Sequence, residues 1–330
     1  MYSPLNEAIS KEISILHSHF KGSFVYGISS RDLFKISIRN RYFVHYFRPY
    51  RFAPKLIPLV ERKFDISHIY HNLHNRFFLD NLSKKPIILT AAAGGDVLDI
   101  GEYDKIDKIV VESNSEKDRL SKAGIHEDKI KIVYPGLNLD KFYYQKPSGK
   151  FKILFASSPF EKGYFGPRGI NLLLSVSEQI KETMFILLWR KWSGTIAPIK
   201  DLVSDKVNIK LYLKTIQDIN SFIGEVHAVI APFTSRQLTK PCPHSIIEGL
   251  AAGKPVLVSR ETGIADLIEQ EKCGVVFKPT EEETLKAISE LKKNYKIYQT
   301  NARQCAEKYF SAHKFIQNYK TIYNEALNQR

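Results

Sequence analysis

The sequence predicts an α/β protein built on parallel sheets, and three observations carry that expectation. Residues 241–274 read PCPHSIIEGLAAGKPVLVSRETGIADLIEQEKCG and alternate loop, helix, strand, loop and helix before a further strand at Val275-Val276-Phe277. A parallel neighbour is reached only through a long crossover, so this alternation is what a parallel sheet requires. The strands themselves are short apolar runs, such as Val256-Leu257-Val258-Ser259, which suit burial. The chain has 330 residues, 43% hydrophobic and 25% charged, a globular composition with room for two domains.

Composition also narrows the function classes. No run of about 18 apolar residues predicts a spanning helix, and MYSPLNEAISKEI lacks the apolar centre of a signal segment. Cys242, Cys273 and Cys305 are too widely spaced for a disulfide framework or a zinc site, so a reducing cytoplasm is the expected location. The net charge of +14 asks for a polyanionic partner: nucleic acid, an anionic membrane or a phosphorylated substrate. The excess is concentrated early, where residues 1–88 hold 14 Lys and Arg against 6 Asp and Glu.

Taken in order, Ala8, Ile9, Ile13 and Leu16 recur at helical spacing and predict an amphipathic helix over residues 7–20. Phe24–Ile28 reads as a strand. Residues 39–55, RNRYFVHYFRPYRFAPK, interleave Arg39, Arg41, Arg48, Arg51 and Lys55 with six aromatics and contain no acidic residue. Rings that settle at headgroup level beside basic side chains suit an anionic membrane face or an anionic acceptor. A partly buried helix with snorkelling basic residues has the same composition, as does a stacking platform for single-stranded nucleic acid. Further strands are expected at residues 86–90, 109–111, 151–156, 184–189, 211–213 and 226–230. Helices are expected at residues 76–82 and 115–123, after Pro167-Arg168-Gly169-Ile170, at 281–294, and over 301–327 with a break near Ser311. Lys146-Pro147-Ser148-Gly149 reads as the linker between two domains.

The chemistry concentrates where Pro241 and Pro243 lead into a helix that Ser245 is placed to cap. A helix N-terminus offers N–H groups and a positive dipole end to a phosphate. Glu248, one turn in, is the single charge in an apolar helix that Gly253 and Pro255 terminate, and is placed to accept hydrogen bonds from a ribose diol. A salt-bridged glutamate on a surface helix is the plainer account of it.

The run P-H-S-I-I-E-G-L-A-A-G-K-P-V resembles the donor-binding segment of GT-B glycosyltransferases, specifically retaining family 4. The resemblance covers about residues 64–327 and is weak before residue 60. It implies two Rossmann-like domains with parallel sheets facing a central cleft: an acceptor-side domain at 1–146, a nucleotide-sugar domain at 147–310, and a helix at 311–330 crossing back to the first. Such a domain normally opens on a strand, so either Met1–Ser3 is that strand or the start is truncated. By resemblance Glu248 binds the nucleotide ribose, and His244, Ser245 and Ile246 touch the diphosphate. Lys240 stands where many members carry a glutamate near the sugar. Ser157-Ser158 stand where a Gly-Arg pair follows the strand, and Arg168, or Lys162 in the longer loop, takes the place of the phosphate-binding lysine. Arg190 stands in place of a glycine-rich turn and suggests that positive charge has moved within the site. On the acceptor side, Gly94 and Gly95 let backbone approach a ligand at the sheet edge. The usual histidine is missing from that loop, with His68, His71 and His74 nearest. Arg168, Lys240 and His71 are therefore the catalytic candidates.

The resulting expectation is a glycosyltransferase moving a sugar from a nucleotide-sugar to a glycan, lipid-linked or other acceptor with retention of configuration. It needs no cofactor and no metal, works in the cytoplasm with contact at the inner membrane face through 39–55, and does not use nucleic acid as a partner. Lys240 and Ser158 keep open the alternative of a degenerate module that binds a sugar nucleotide or glycan without turnover.

Overall fold

The computed structural model describes residues 8–29, 42–46, 53–72, 77–83, 86–93, 103–191, 193–213, 216, 218–237 and 239–328. The chain divides into two compact units. The first comprises Met1–Glu112, Glu116–Gly136 and Ala312–Arg330, and the second Ser113–Ser115 and Leu137–Ser311.

The first unit carries helix α1 (Ala8–His19), strands β1 (Val25–Ser29) and β2 (Tyr42–Tyr46), helix α2 (Ala53–Glu61), strand β3 (Ser67–Asn72), helix α3 (Phe77–Asn81), strands β4 (Ile87–Ala93) and β5 (Lys108–Val111), helix α4 (Asn114–Lys122) and strand β6 (Ile130–Ile132). β3, β4, β5 and β6 form a parallel sheet in that order, and β1 pairs in parallel with β2. β5 is buried throughout, as expected of a strand covered on both faces. The basic-aromatic stretch supplies the backbone of β2 and the start of α2, and its side chains lie outside the described residues.

The second unit carries strand β7 (Lys152–Phe155), helix α5 (Ile170–Gln179), strand β8 (Met184–Leu188), helix α6 (Ser193–Val203), strand β9 (Ile209–Tyr212), helix α7 (Ile219–Gly224), strand β10 (Ala228–Ala231), helix α8 (His244–Ala251), strand β11 (Val256–Ser259), helix α9 (Ala265–Gln270), strand β12 (Gly274–Phe277) and helices α10 (Glu281–Lys293) and α11 (Tyr295–Tyr309). Its sheet is parallel throughout, in the order β12-β11-β10-β7-β8-β9. The strand order therefore reverses between β7 and β10, which makes their C-terminal ends the topological switch point, where open α/β sheets bind ligands. Local chemistry sets the helix ends. Thr280 accepts a bond from the Glu283 N–H, three glutamates occupy the first turn of α10 and two lysines the last, all favourable to the helix dipole.

The break near Ser311 is real: α11 stops at Tyr309 and a new helix, α12 (Ala312–Asn328), begins. α12 belongs to the first unit, where Phe315, Tyr319, Ile322 and Ala326 close a core with Leu16, Ile88, Val110 and Val133. The division at Gly136/Leu137 falls ahead of the Lys146–Gly149 turn, because residues 137–145 are bonded into the second unit. The Leu137 N–H donates to Phe310 O (2.7 Å), Arg303 donates to the carbonyls of Phe142 (2.9 Å) and Ala251 (2.7 Å), and the buried Lys254 ammonium donates to those of Gln145 (2.6 Å) and Gly224 (3.0 Å). Burial lowers Lys254 to about 8. Helix α6, which carries Pro198, had no counterpart in the sequence reading.

Beneath α12 runs a chain of polar side chains. Tyr323 hydroxyl and His68 Nδ1 are 2.7 Å apart, His68 Nε2 and Thr90 Oγ1 2.7 Å, Thr90 Oγ1 and the Tyr319 hydroxyl 2.8 Å, and the Tyr70 hydroxyl donates to that of Tyr319 at 3.0 Å. Tyrosine rings enclose the imidazole, and burial lowers its pKa from 6.5 to about 3. His68 is thus a neutral structural histidine. The unfolded chain takes a proton at His68 between pH 6.5 and 3 while the folded one does not, so this residue's contribution to stability is lost as pH falls through that window. Urea unfolding of wild type against His68→Gln should show wild type losing about 2 kcal/mol more than the variant between pH 7 and 4.5. Parallel pH profiles would refute the buried neutral imidazole.

Candidate functional site

Five segments bring the site together at the C-terminal edge of the second sheet. β7 ends in Ser157 and Ser158, β8 runs into Trp189 and Arg190, the loop before α5 carries Lys162 and Arg168, β10 leads to Phe233 and Thr234, and α8 begins at His244. The switch point is bridged directly: Ser157 Oγ and Ser245 Oγ are 3.1 Å apart.

Helix α8 is buried along its length. It approaches β10 so closely that a Cβ on Gly249 would lie 2.7 Å from Val229 Cγ2, which accounts for a glycine inside a helix. The helix starts earlier than a Ser245 cap would place it. Pro243 occupies the cap position in extended conformation and His244 and Ser245 are already helical, because a proline before the first turn gives up no needed N–H. Ser245 is therefore available to Ser157 rather than to its own helix. Ile246 is fully buried and its N–H donates to Pro243 O at 3.0 Å. Glu248 is 5% exposed, one turn into the helix.

The arginines are held by aromatic packing. Trp189 is fully buried, its indole N–H donates to Thr195 Oγ1 (2.9 Å) and its backbone N–H to Tyr212 O (2.9 Å). Phe165, from the loop that carries Arg168, meets its ring edge-on at 5.4 Å. The next residue, Arg190, is exposed and its backbone N–H donates to Ser158 Oγ at 3.2 Å. The loop is also tied to the segment after β10: the Thr234 N–H donates to Pro167 O (3.0 Å) and its hydroxyl to Gly166 O (2.9 Å). Half-buried Arg168 lies over the Phe233 ring, 5.4 Å from its centroid. Burial first, and the neighbouring Arg190 charge second, lower the Arg168 pKa to about 10. The Arg190 charge thus acts on Arg168, and a like-charged pair of this kind suits a multiply charged anion.

The other candidates lie less centrally. Lys162 is exposed at the start of a one-turn 3-10 helix, and Lys240 is half-buried ahead of Pro241. The side chain of His71 lies outside the described residues, as do Gly94 and Gly95. Among the described residues no group of three His, Cys, Asp or Glu could hold a metal ion, and no helix is long and apolar enough to cross a membrane. Sequence reasoning passed over Phe165, Trp189, Phe233 and Thr234. The adjacency of Trp189 to Arg190 at a strand end was the available signal for the first pair.

Residues 199–309 match the model of the family glycosyl transferases group 1. A protein of Methanocaldococcus jannaschii named as an uncharacterized glycosyltransferase, MJ1069, is 23% identical over 239 residues, covering 68% of this chain and 60% of the relative's own length. A glycosyltransferase from Rickettsia africae superposes with a TM-score of 0.76 at 18% identity, covering 97% of this chain and 94% of its own. Anabaena Alr3699/HepE in complex with UDP superposes with a TM-score of 0.76 at 14% identity, covering 98% and 97%. The two parallel-sheet α/β domains are those of the GT-B glycosyltransferase fold.

Gly169 precedes α5 at φ 72, and a Cβ there would meet Pro232 O at 1.9 Å. Gly169→Ala should cost on the order of 2 kcal/mol or more, from left-handed strain together with overlap. Denaturant titration checks this, and a variant as stable as wild type would show that the loop is not pinned as described.

Proposed function

We propose that the protein is a glycosyltransferase that transfers a sugar from a nucleotide-sugar to an acceptor. The observation that carries this is the site at the switch point. The start of α8, the Ser157–Ser245 contact and the two arginines converge where a diphosphate binds, with the Glu248 carboxylate one turn along for the ribose diol. The Anabaena protein has been described in complex with UDP and with UDP-glucose, which supports a nucleotide-sugar donor here.

The reaction is read as proceeding with retention and without a bound metal. The helix N-terminus and the two arginines stabilise the charge that develops on the departing nucleoside diphosphate, and Lys240 lies on the segment leading into that helix. The acceptor is read as a glycan or lipid-linked molecule handled by the first unit, with Gly94, Gly95 and His71 as its candidate contacts. The basic-aromatic stretch 39–55 is read as meeting an anionic membrane surface on the cytoplasmic side.

Thermal melting of the purified chain with UDP, GDP, ADP and CMP and their sugars tests the reading. One nucleoside diphosphate should raise the melting temperature by mass action, and Glu248→Ala should weaken that ligand at least tenfold. Absence of a shift with every nucleotide would overturn the donor site.

A further inference from the structure

We propose that Cys273 and Cys305 form a reversible disulfide that fastens α11 to the turn between α9 and β12, a redox-sensitive brace within the second unit. The two residues are far apart in the chain, and the fold brings them together. Cys273 directly precedes β12, whereas Cys305 lies on α11. Both are buried free thiols, and their side chains are in hydrogen-bond contact. Cys273 Sγ also lies 3.8 Å from the Ile268 carbonyl. Two thiols held side by side on fixed backbones meet the first requirement of a disulfide.

Local constraints place each sulfur. Among the described residues, Lys272 is the one non-glycine with a positive φ, 47°, an uncommon conformation for a residue with a side chain. It turns the chain from α9 toward β12. On the other side of Cys273, a Cβ on Gly274 would lie 2.1 Å from Val256 O, so the backbone there is pressed against β11. Helix α11 meets this turn through one face. Asn301, Cys305, Lys308 and Tyr309 recur at the spacing that puts side chains on one side of a helix. Asn301 donates to the Lys272 carbonyl (2.9 Å), and the Glu271 carboxylate accepts from the Lys308 ammonium (2.8 Å) and the Tyr309 hydroxyl (2.6 Å). Contact with Cys305 first, and burial second, push the Cys273 thiol well above its usual range. The thiolate is the reactive form, so the pair resists brief oxidation and responds when α11 and the turn part under a sustained oxidant. Closure breaks two S–H bonds, forms one S–S bond and passes two electrons and two protons to the oxidant, a diazene such as diamide or the disulfide of a small thiol. Thiol–disulfide exchange reverses it. The bond closes the loop 273–305 and so restricts the unfolded chain. Arg303 of the same helix holds the Phe142 and Ala251 carbonyls, so bracing α11 also steadies the segment after Leu137 and the end of α8.

Diamide treatment of the full native chain tests the brace, read by thiol counting after denaturation, peptide mass mapping and thermal melting. Of the three cysteines, two should be lost to oxidation, and the mapped peptides should join Cys273 to Cys305. The melting temperature should rise by about 5 °C and return to its starting value with dithiothreitol. Cys305→Ser and Cys273→Ala should each abolish the link and the rise, and Cys242→Ser should keep both. Three thiols remaining after prolonged treatment of the wild-type chain, a result that depends on no variant, overturn the proposal. A link that uses Cys242 or joins two chains overturns it as well. A Cys273–Cys305 link that lowers the melting temperature shows that the bond forms against the fold, and overturns the brace.

Discussion

A parallel sheet returns its chain across the same edge every time, and the second unit depends on where those returns change direction. From β7 the chain steps outward to β8 and β9, then comes back to the other side of β7 as β10 and steps outward again to β11 and β12. Crossovers leaving β7 and β10 on opposite sides open a gap between the two strand ends that backbone cannot fill. The residues that these strand ends and the start of α8 carry are polar or charged: Ser157, Ser158, Arg190, Ser245 and Glu248, with Ser157 and Ser245 in contact across the gap. A seam that topology leaves open is thus the place where polar groups can face a ligand without a packing penalty.

The rigidity of that edge comes from groups that never approach a ligand. Lys254 places an ammonium in a pocket of backbone carbonyls, with the Tyr144 ring 4.9 Å away, at the foot of helix α8. Arg303 reaches the carbonyl of Ala251 at the end of the same helix. A buried cation such as Lys254 is tolerated only when its hydrogen bonds are met. Here they satisfy carbonyls that the end of α8 and the segment after Leu137 would otherwise bury without partners. Helix α8 is held at its far end by charge and along its length by close packing on β10.

The sequence disclosed the second unit well because most of its strands are short apolar runs bounded by turn residues, and because Gly253 and Pro255 punctuate the segment 241–274. It disclosed less at helix starts. Ser245 has the chemistry of a cap, yet Pro243 provides the geometry, and only packing across the switch point showed that the hydroxyl turns to Ser157. Helix α6 was illegible because Pro198 is an ordinary breaker signal, overridden by the tertiary burial of Ile199 and Thr195. His68 was one of three nearby histidines in the sequence, and its structural role is set by three tyrosines that come from β3 and from a helix some 250 positions later. Long-range partners of that kind leave no local trace. The pairing of Arg168 with Arg190 was half legible: the missing arginine at Ser158 and the extra one at the end of β8 were visible, but the aromatic keying that brings the two groups together was not.

The position of α12 has a consequence for how the protein is made. The helix that covers β4 and β5 of the first unit, through Tyr319, Ile322 and Ala326, is encoded after the whole of the second. At translation speeds of 5–20 residues per second, roughly ten to forty seconds pass between emergence of the first unit's last strand and emergence of its covering helix. For that interval an apolar sheet face in the first unit lacks its cover while the second unit, complete in itself, folds beside the ribosome. The unit that appears first is therefore finished last, and a nascent chain of this protein is most in need of a chaperone when most of it has already been built.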